Sequence, residues 1–154
     1  MNNNKKILLA ASAGGHISQL QKLSNAWLEN NYCYVTTTEV LKNKLQNFAP
    51  AYCVGESNRD HKFQALKVFF RCLSITLKEK PNVVISTGAL HGCLICYLAK
   101  LLYRSKIIWI DSITNSEKPS LSGRLVYPIA NLFILQWTEL LAKYPKAEYH
   151  GAII

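Results

Sequence analysis

The chain has 154 residues, 49% of them apolar and 18% charged, with 18 Lys and Arg against 9 Asp and Glu for a formal charge of +9. That length suits one domain with a sizeable core, and the charge favours polyanionic partners: nucleic acid, anionic headgroups or phosphorylated substrates. The five cysteines are odd in number and sit mostly in apolar segments, which argues against a disulfide framework, and no apolar run approaches the roughly 20 residues of a bilayer span.

Polar residues 1–6 lead into an apolar run at 7–11 that reads as a buried first strand, and no signal peptide is expected. Ser12, Ala13, Gly14 and Gly15 turn the chain. His16 then opens a helix to about residue 30, with Ile17, Leu20 and Leu23 on one face. Strand, glycine turn and helix start aim free N–H groups and the positive end of a helix dipole above the turn, where phosphate is the commonest guest. The His16 imidazole stands at the same edge, placed to accept or donate a proton. A plain tight turn with a solvated histidine fits the same residues, and the full dinucleotide fingerprint is absent.

Residues 32–36 form a second strand of β-branched and aromatic residues. Thr37 or Thr38 caps a short helix through Gln46, ended by Pro50. A short strand at 51–54 and a polar loop at 55–60 follow. A long helix is expected at 61–80, closed by Pro81, with Phe63, Leu66, Phe70, Leu73 and Leu77 as its inner face. Val68, Phe69 and Ile75 widen the apolar surface, and Lys62, Lys67, Arg71, Lys78 and Lys80 supply cations. Such a helix suits an in-plane membrane contact; a core helix with a solvated basic side reads the same way.

Residues 82–86 are a buried strand that runs into Ser86, Thr87, Gly88, Ala89, Leu90, His91 and Gly92, then an apolar helix at 93–104. The opening device is repeated: strand, small-residue turn with a histidine, helix. Two such turns at the carboxyl ends of parallel strands flank a crevice, the usual ligand position in an open α/β sheet. Cys93 and Cys96 have redox or metal spacing, but no second Cys or His pair completes a zinc site, so they read as structural.

The strand at 106–111 ends in Asp111, either a ligand-contacting carboxylate or a loop cap. A polar loop spans 112–120. A helix at 121–130 has an irregular end, because Pro128 pushes Tyr127 out of helical geometry. A strand at 132–135, a short helix at 137–144 stopped by Pro145 and an extended tail at 147–150 complete the chain. The alternation specifies a Rossmann-like, three-layer α/β/α domain with a mostly parallel sheet over residues 1–154. A stand-alone nucleotide-binding module is one function such a domain serves, although the third glycine and a ribose-binding acid are missing. Nucleic-acid binding lacks any recognisable module.

The stretches SAGGHISQL and VVISTGA, and above all LSGRLVYPIANLFILQWTELLAKYPKAEYHG, resemble the membrane-associated subunit family of split asparagine-linked glycosylation N-acetylglucosaminyltransferases. Its bacterial counterparts are polysaccharide-biosynthesis subunits of the PssD type, serving capsule and exopolysaccharide. The resemblance covers residues 5–151. It implies the amino-terminal, acceptor-side half of a GT-B glycosyltransferase, the half that MurG-type enzymes carry in one polypeptide with its mate. A second small chain would bind the UDP-sugar, a co-substrate; no cofactor and no metal is expected.

By this resemblance His16 is the general base, a role that suits an imidazole. Ser12, Gly14, Gly15, Ser86, Thr87, Gly88, His91 and Asp111 would meet the diphosphate-linked sugar acceptor. Asp111 stands where many relatives carry glutamate, and Asn115 where an arginine is common. The implied place is cytoplasmic, peripheral on the inner face of the cell membrane, with Phe63, Lys67, Phe69, Phe70 and Arg71 against an anionic surface and no nucleic acid involved.

Overall fold

The computed structural model describes residues 5–56 and 62–153. The opening apolar run becomes β1 (Lys6–Ala10), and the period-2 alternation of a strand sorts its side chains to two faces. Leu8 and Ala10 enter one core cluster and Ile7 and Leu9 the other. The chain continues as α1 (Gly15–Lys22), β2 (Asn31–Thr36), α2 (Glu39–Leu45), β3 (Ala51–Cys53), α3 (Lys62–Glu79) and β4 (Val83–Ser86). It closes with α4 (Ala89–Tyr103), β5 (Lys106–Ile110), α5 (Leu121–Val126), β6 (Leu132–Ile134) and β7 (Ala147–Glu148).

These strands form one sheet in the order β3-β2-β1-β4-β5-β6-β7. Every pairing is parallel, with Ile7 opposite Tyr32 on one side and Val83 on the other. The expected three-layer α/β architecture is therefore present, and the sheet is wholly rather than mostly parallel. Ile17, Leu20 and Leu45 from α1 and α2 cover one face. Val68, Cys72, Cys96 and Val126 from α3, α4 and α5 cover the other. The chain leaves β1 toward β2 and leaves β4 toward β5, so the strand order reverses between β1 and β4. A crevice opens at that point, outside the carboxyl ends of the strands.

Several boundaries shift. The first helix stops at Lys22, and a 3-10 turn at Ser24–Ala26 follows it and leads into the buried Trp27. The fourth helix begins at Ala89, so His91 and Gly92 belong to its first turn rather than to a loop. The helix expected at 137–144 is a 3-10 turn at Thr138–Leu140. Of the polar loop at 55–60 only Gly55 and Glu56 are described; the rest, and the helix start at His61, lie outside the described residues.

The largest correction concerns α3. Four of the five residues expected on its inner face point outward: Phe63 is 84% exposed, Leu66 53%, Phe70 57% and Leu77 46%. The buried face is Val68, Cys72, Ile75 and Thr76. The period was right and the phase was wrong. The helix is apolar nearly all round, so spacing alone does not choose a face; small and β-branched side chains allow the close approach to the sheet that dense packing requires. At its carboxyl end Glu79 is gripped by Lys6 Nζ at 2.6 Å and by the Tyr52 hydroxyl, which donates to it. Burial pushes the Glu79 carboxyl up, but the hydrogen bonds from Lys6 and Tyr52 together with the charges of Lys6 and Lys78 hold the group below its ordinary range.

Leu101 and Leu102 of α4 and Leu121 and Leu125 of α5 are also exposed. The Tyr103 hydroxyl donates to the Leu77 carbonyl at 3.5 Å and the Tyr97 hydroxyl to Leu125 at 2.7 Å, tying the three helices into one layer. The outer side of that layer carries large apolar groups beside the exposed Lys67, Arg104 and Arg124, while Lys78 turns its ammonium over the Tyr52 ring at 5.0 Å. Among the described residues no helix is long and apolar enough to cross a membrane.

Candidate functional site

Both glycine turns meet at the switch point. Gly14, at φ 87, sits in a region that L side chains avoid and caps α1 without a side-chain hydrogen bond, leaving first-turn N–H groups free. The space in front of Gly14 and Gly15 is open: a Cβ at either would meet nothing within 4 Å. Gly88 has φ 146 and caps α4, again with no side-chain cap. The next residue, Ala89, is held at φ 67, backbone strain of a kind that clusters at functional sites.

The two turns touch. The His16 ring rests on Gly88 so closely that a Cβ there would lie 2.6 Å from its Cε1 and 2.9 Å from its Nδ1. The Thr87 hydroxyl donates to the His16 carbonyl at 3.0 Å, and Thr87 N–H donates to Ala10 at 3.3 Å. His16 Nδ1 is buried with no hydrogen-bond partner. Leaving such an atom unpaired costs about 1–3 kcal/mol, so it calls for a partner that a ligand would bring.

Replacing Gly88 with alanine is expected to expel the His16 ring and strain the turn, costing about 1–3 kcal/mol by urea unfolding. Wild-type stability in the variant would contradict this contact.

A cleft of about 260 Å³ adjoins the turns, lined by Ser12, Thr37, Gly55, Glu56, Val68, Ala89, Leu90 and His91. Ser12 and His91 were expected here. Thr37, expected only as a possible helix cap, and Gly55 and Glu56, expected only in a polar loop, join them; their signal is position, at the carboxyl ends of the two neighbouring parallel strands.

His91 is 2% exposed, and its Nε2 has no hydrogen-bond partner. Burial pushes its imidazole down to about 4, against a smaller upward pull from the Ala11 backbone. An unfolded histidine takes its proton near 6.5. Between those values the unfolded chain binds a proton that the folded chain refuses. The stability this neutral group contributes is therefore present above about pH 6.5 and is lost as pH falls toward 4, by on the order of 3 kcal/mol. Thermal melts from pH 7 to 4.5 should show a steeper loss for wild type than for His91→Gln, and parallel profiles would refute the assignment.

The remaining expected contacts play other parts. The Ser86 hydroxyl is fully buried and turned on its own loop, accepting from Gly88 N–H at 3.3 Å. Thr87 is equally buried and holds His16. Both shape the turn rather than face a ligand. Asp111 is 1% exposed, and its carboxylate accepts from Trp109 Nε1, Asn115 Nδ2, and the Ser120 N–H and hydroxyl at 2.7–3.2 Å. With both oxygens occupied it holds the 112–120 loop.

Arg71 is turned from the outer stripe of α3 to the Val54 carbonyl, donating from Nη1 at 3.1 Å, and Phe69 is only half-exposed against Phe70. Phe63, Lys67 and Phe70 remain outward. Cys93 and Cys96 are buried free thiols, and burial pushes Cys93 up to about 11, as suits inert core cysteines. Among the described residues no three His, Cys, Asp or Glu side chains gather as a metal site would need.

Residues 3–153 match the sequence profile of the family described as Oligosaccharide biosynthesis protein Alg14 like. The chain belongs to this Alg14-like family. A relative from Yarrowia lipolytica, named UDP-N-acetylglucosamine transferase subunit ALG14, is 26% identical over 178 residues, covering 99% of this chain and 82% of its own. Among solved structures, UDP-N-acetylglucosamine 2-epimerase from Rickettsia bellii superposes with a TM-score of 0.69 at 15% identity, over 98% of this chain and 46% of its own. MurG of Acinetobacter baumannii gives 0.61 at 15% identity, over 84% of this chain and 40% of its own. The chain thus spans less than half of either structure, and these two likenesses speak to fold alone. For an Alg14-like protein the expected Rossmann-like architecture stands, and the family resemblance read from the sequence is met across the chain.

Proposed function

We propose that this chain is the acceptor-side subunit of a two-component, UDP-sugar-dependent glycosyltransferase for lipid-linked oligosaccharide or polysaccharide biosynthesis, including capsule and exopolysaccharide. The observation that carries the reading is the seating of His16 on Gly88 at the switch point, in a chain whose relative is named a UDP-N-acetylglucosamine transferase subunit. The open Gly14–Gly15 turn, with free first-turn N–H groups, suits the diphosphate of a polyprenyl-linked acceptor. His16 stands at the junction of the two turns as base. It takes the proton from the acceptor hydroxyl as that oxygen bonds to the anomeric carbon, and the bond from that carbon to the UDP oxygen breaks with its electron pair leaving on UDP. The proton then passes from the imidazole to solvent.

The donor UDP-sugar is held mainly by a small partner chain that closes the other side of the crevice, and no resident cofactor or metal takes part. The outward face of α3, α4 and α5 supports a peripheral seat on the anionic inner face of the cell membrane, with Phe63, Lys67 and Phe70 in contact. Val68 lines the cleft from the same helix that carries Phe63 and Phe70. An acceptor anchored in the bilayer therefore needs to reach only across the width of α3.

Titration with UDP-N-acetylglucosamine, UDP-glucose, UDP-galactose and UDP-glucuronic acid tests the division of labour. The isolated chain should bind none of them appreciably, and the pair with its small partner should bind at least one. Tight binding by this chain alone would favour a stand-alone nucleotide-binding module instead.

A further inference from the structure

The 260 Å³ cleft beside the glycine turns differs from them in chemistry. The turns offer backbone N–H groups and no carboxylate, which suits an anion. The cleft presents the hydroxyls of Ser12 and Thr37, the Glu56 carboxylate and the His91 imidazole, with Val68 and Leu90 as apolar wall. Glu56 repels a phosphate at close range. Arg71, beside Gly55, spends its Nη1 on the Val54 carbonyl.

Hydroxyl, carboxylate and uncharged imidazole groups are what the hydroxyls of a sugar ring require, and its C–H face packs on aliphatic side chains. His91 carries the strongest pointer, because its Nε2 has no partner although the residue is 2% exposed. A buried polar atom of this kind is satisfied in nearly all proteins. The cleft's volume falls just below the roughly 300–1,000 Å³ of drug-sized pockets, which suits one monosaccharide.

We propose that this cleft is the subsite for the acceptor's sugar ring, held by Ser12, Thr37, Glu56 and His91 against Val68 and Leu90, while the open turn at Gly14 and Gly15 takes the diphosphate. The assignment rests on the reading of the acceptor as a lipid diphosphate sugar. It separates two parts of one ligand: the cleft discriminates the sugar, and the open turn binds any prenyl diphosphate.

The test is calorimetric titration of the full chain with farnesyl diphosphate and with farnesyl diphosphates carrying glucose, galactose or N-acetylglucosamine. At least one sugar-bearing probe should bind about tenfold or more tightly than farnesyl diphosphate, an increment of about 1.4 kcal/mol. Thr37→Val and Glu56→Gln, at a half-buried and an exposed position, should each reduce that preference several-fold and leave farnesyl diphosphate affinity intact; His91→Gln should do the same if its melt shows a folded protein. Equal affinity of wild type for all four probes, or variants that weaken all four alike, overturns the sugar subsite and leaves the diphosphate reading standing. Failure of every probe, farnesyl diphosphate included, overturns both.

Discussion

Replacing His16 with alanine is expected to lower sugar transfer by the complete two-chain enzyme about 100- to 10,000-fold, the usual worth of a positioned general base. The loss should fall on turnover, with partner binding intact. The geometry allows that separation, because Thr87 braces His16 through its carbonyl and not through its ring. The ring itself touches Gly88 across the turn, so its removal opens space at the crevice without cutting a backbone hydrogen bond. Single-turnover transfer on a polyprenyl-diphosphate sugar, measured with saturating partner, reads this directly. Unchanged transfer would remove His16 from the chemistry.

The second large effect is on membrane binding. Phe63, Phe70 and Leu101 are 84%, 57% and 77% exposed and lie on the outer side of the helical layer. Each large apolar side chain inserted into lipid is worth on the order of 1.5–3 kcal/mol. A triple change of these residues to serine should therefore weaken partition onto anionic vesicles by about a thousandfold or more. Because the three make up solvent-facing surface, the melting temperature should hold. Neutralising Lys67 should cost less, about 1 kcal/mol, and only at low salt. Flotation of the triple variant at wild-type levels would return this face to ordinary solvated surface.

Much of the fold was legible because β1, β4, β5 and β6 are compact apolar runs and α1 to α4 are bounded by a glycine, a threonine or a proline. Thr38 caps α2 through its hydroxyl, and Pro81 follows α3 closely. The facing of α3 was not legible. Phe63, Leu66 and Phe70 and the set Val68, Cys72 and Ile75 share the same period, and only the close approach of the helix to the sheet selects the smaller set. Phe63 and Phe70, expected both on the inner face and at a membrane surface, lie outward.

The site divides in the same way. The glycine turns are local in sequence, so their pairing could be anticipated. The contact of His16 with Gly88 joins turns far apart in the chain, and the cleft draws Thr37 and Glu56 from the ends of separate strands. Neither follows from spacing along the chain.

The central claim is that this chain holds the acceptor and the base but needs a second chain for the donor. Transfer of sugar from a panel of labelled UDP-sugars to a polyprenyl-diphosphate-linked acceptor, assayed with this chain alone, the small partner alone and the two together, tests it most directly. The account predicts product only in the third reaction. Full-rate transfer by this chain on its own would contradict it.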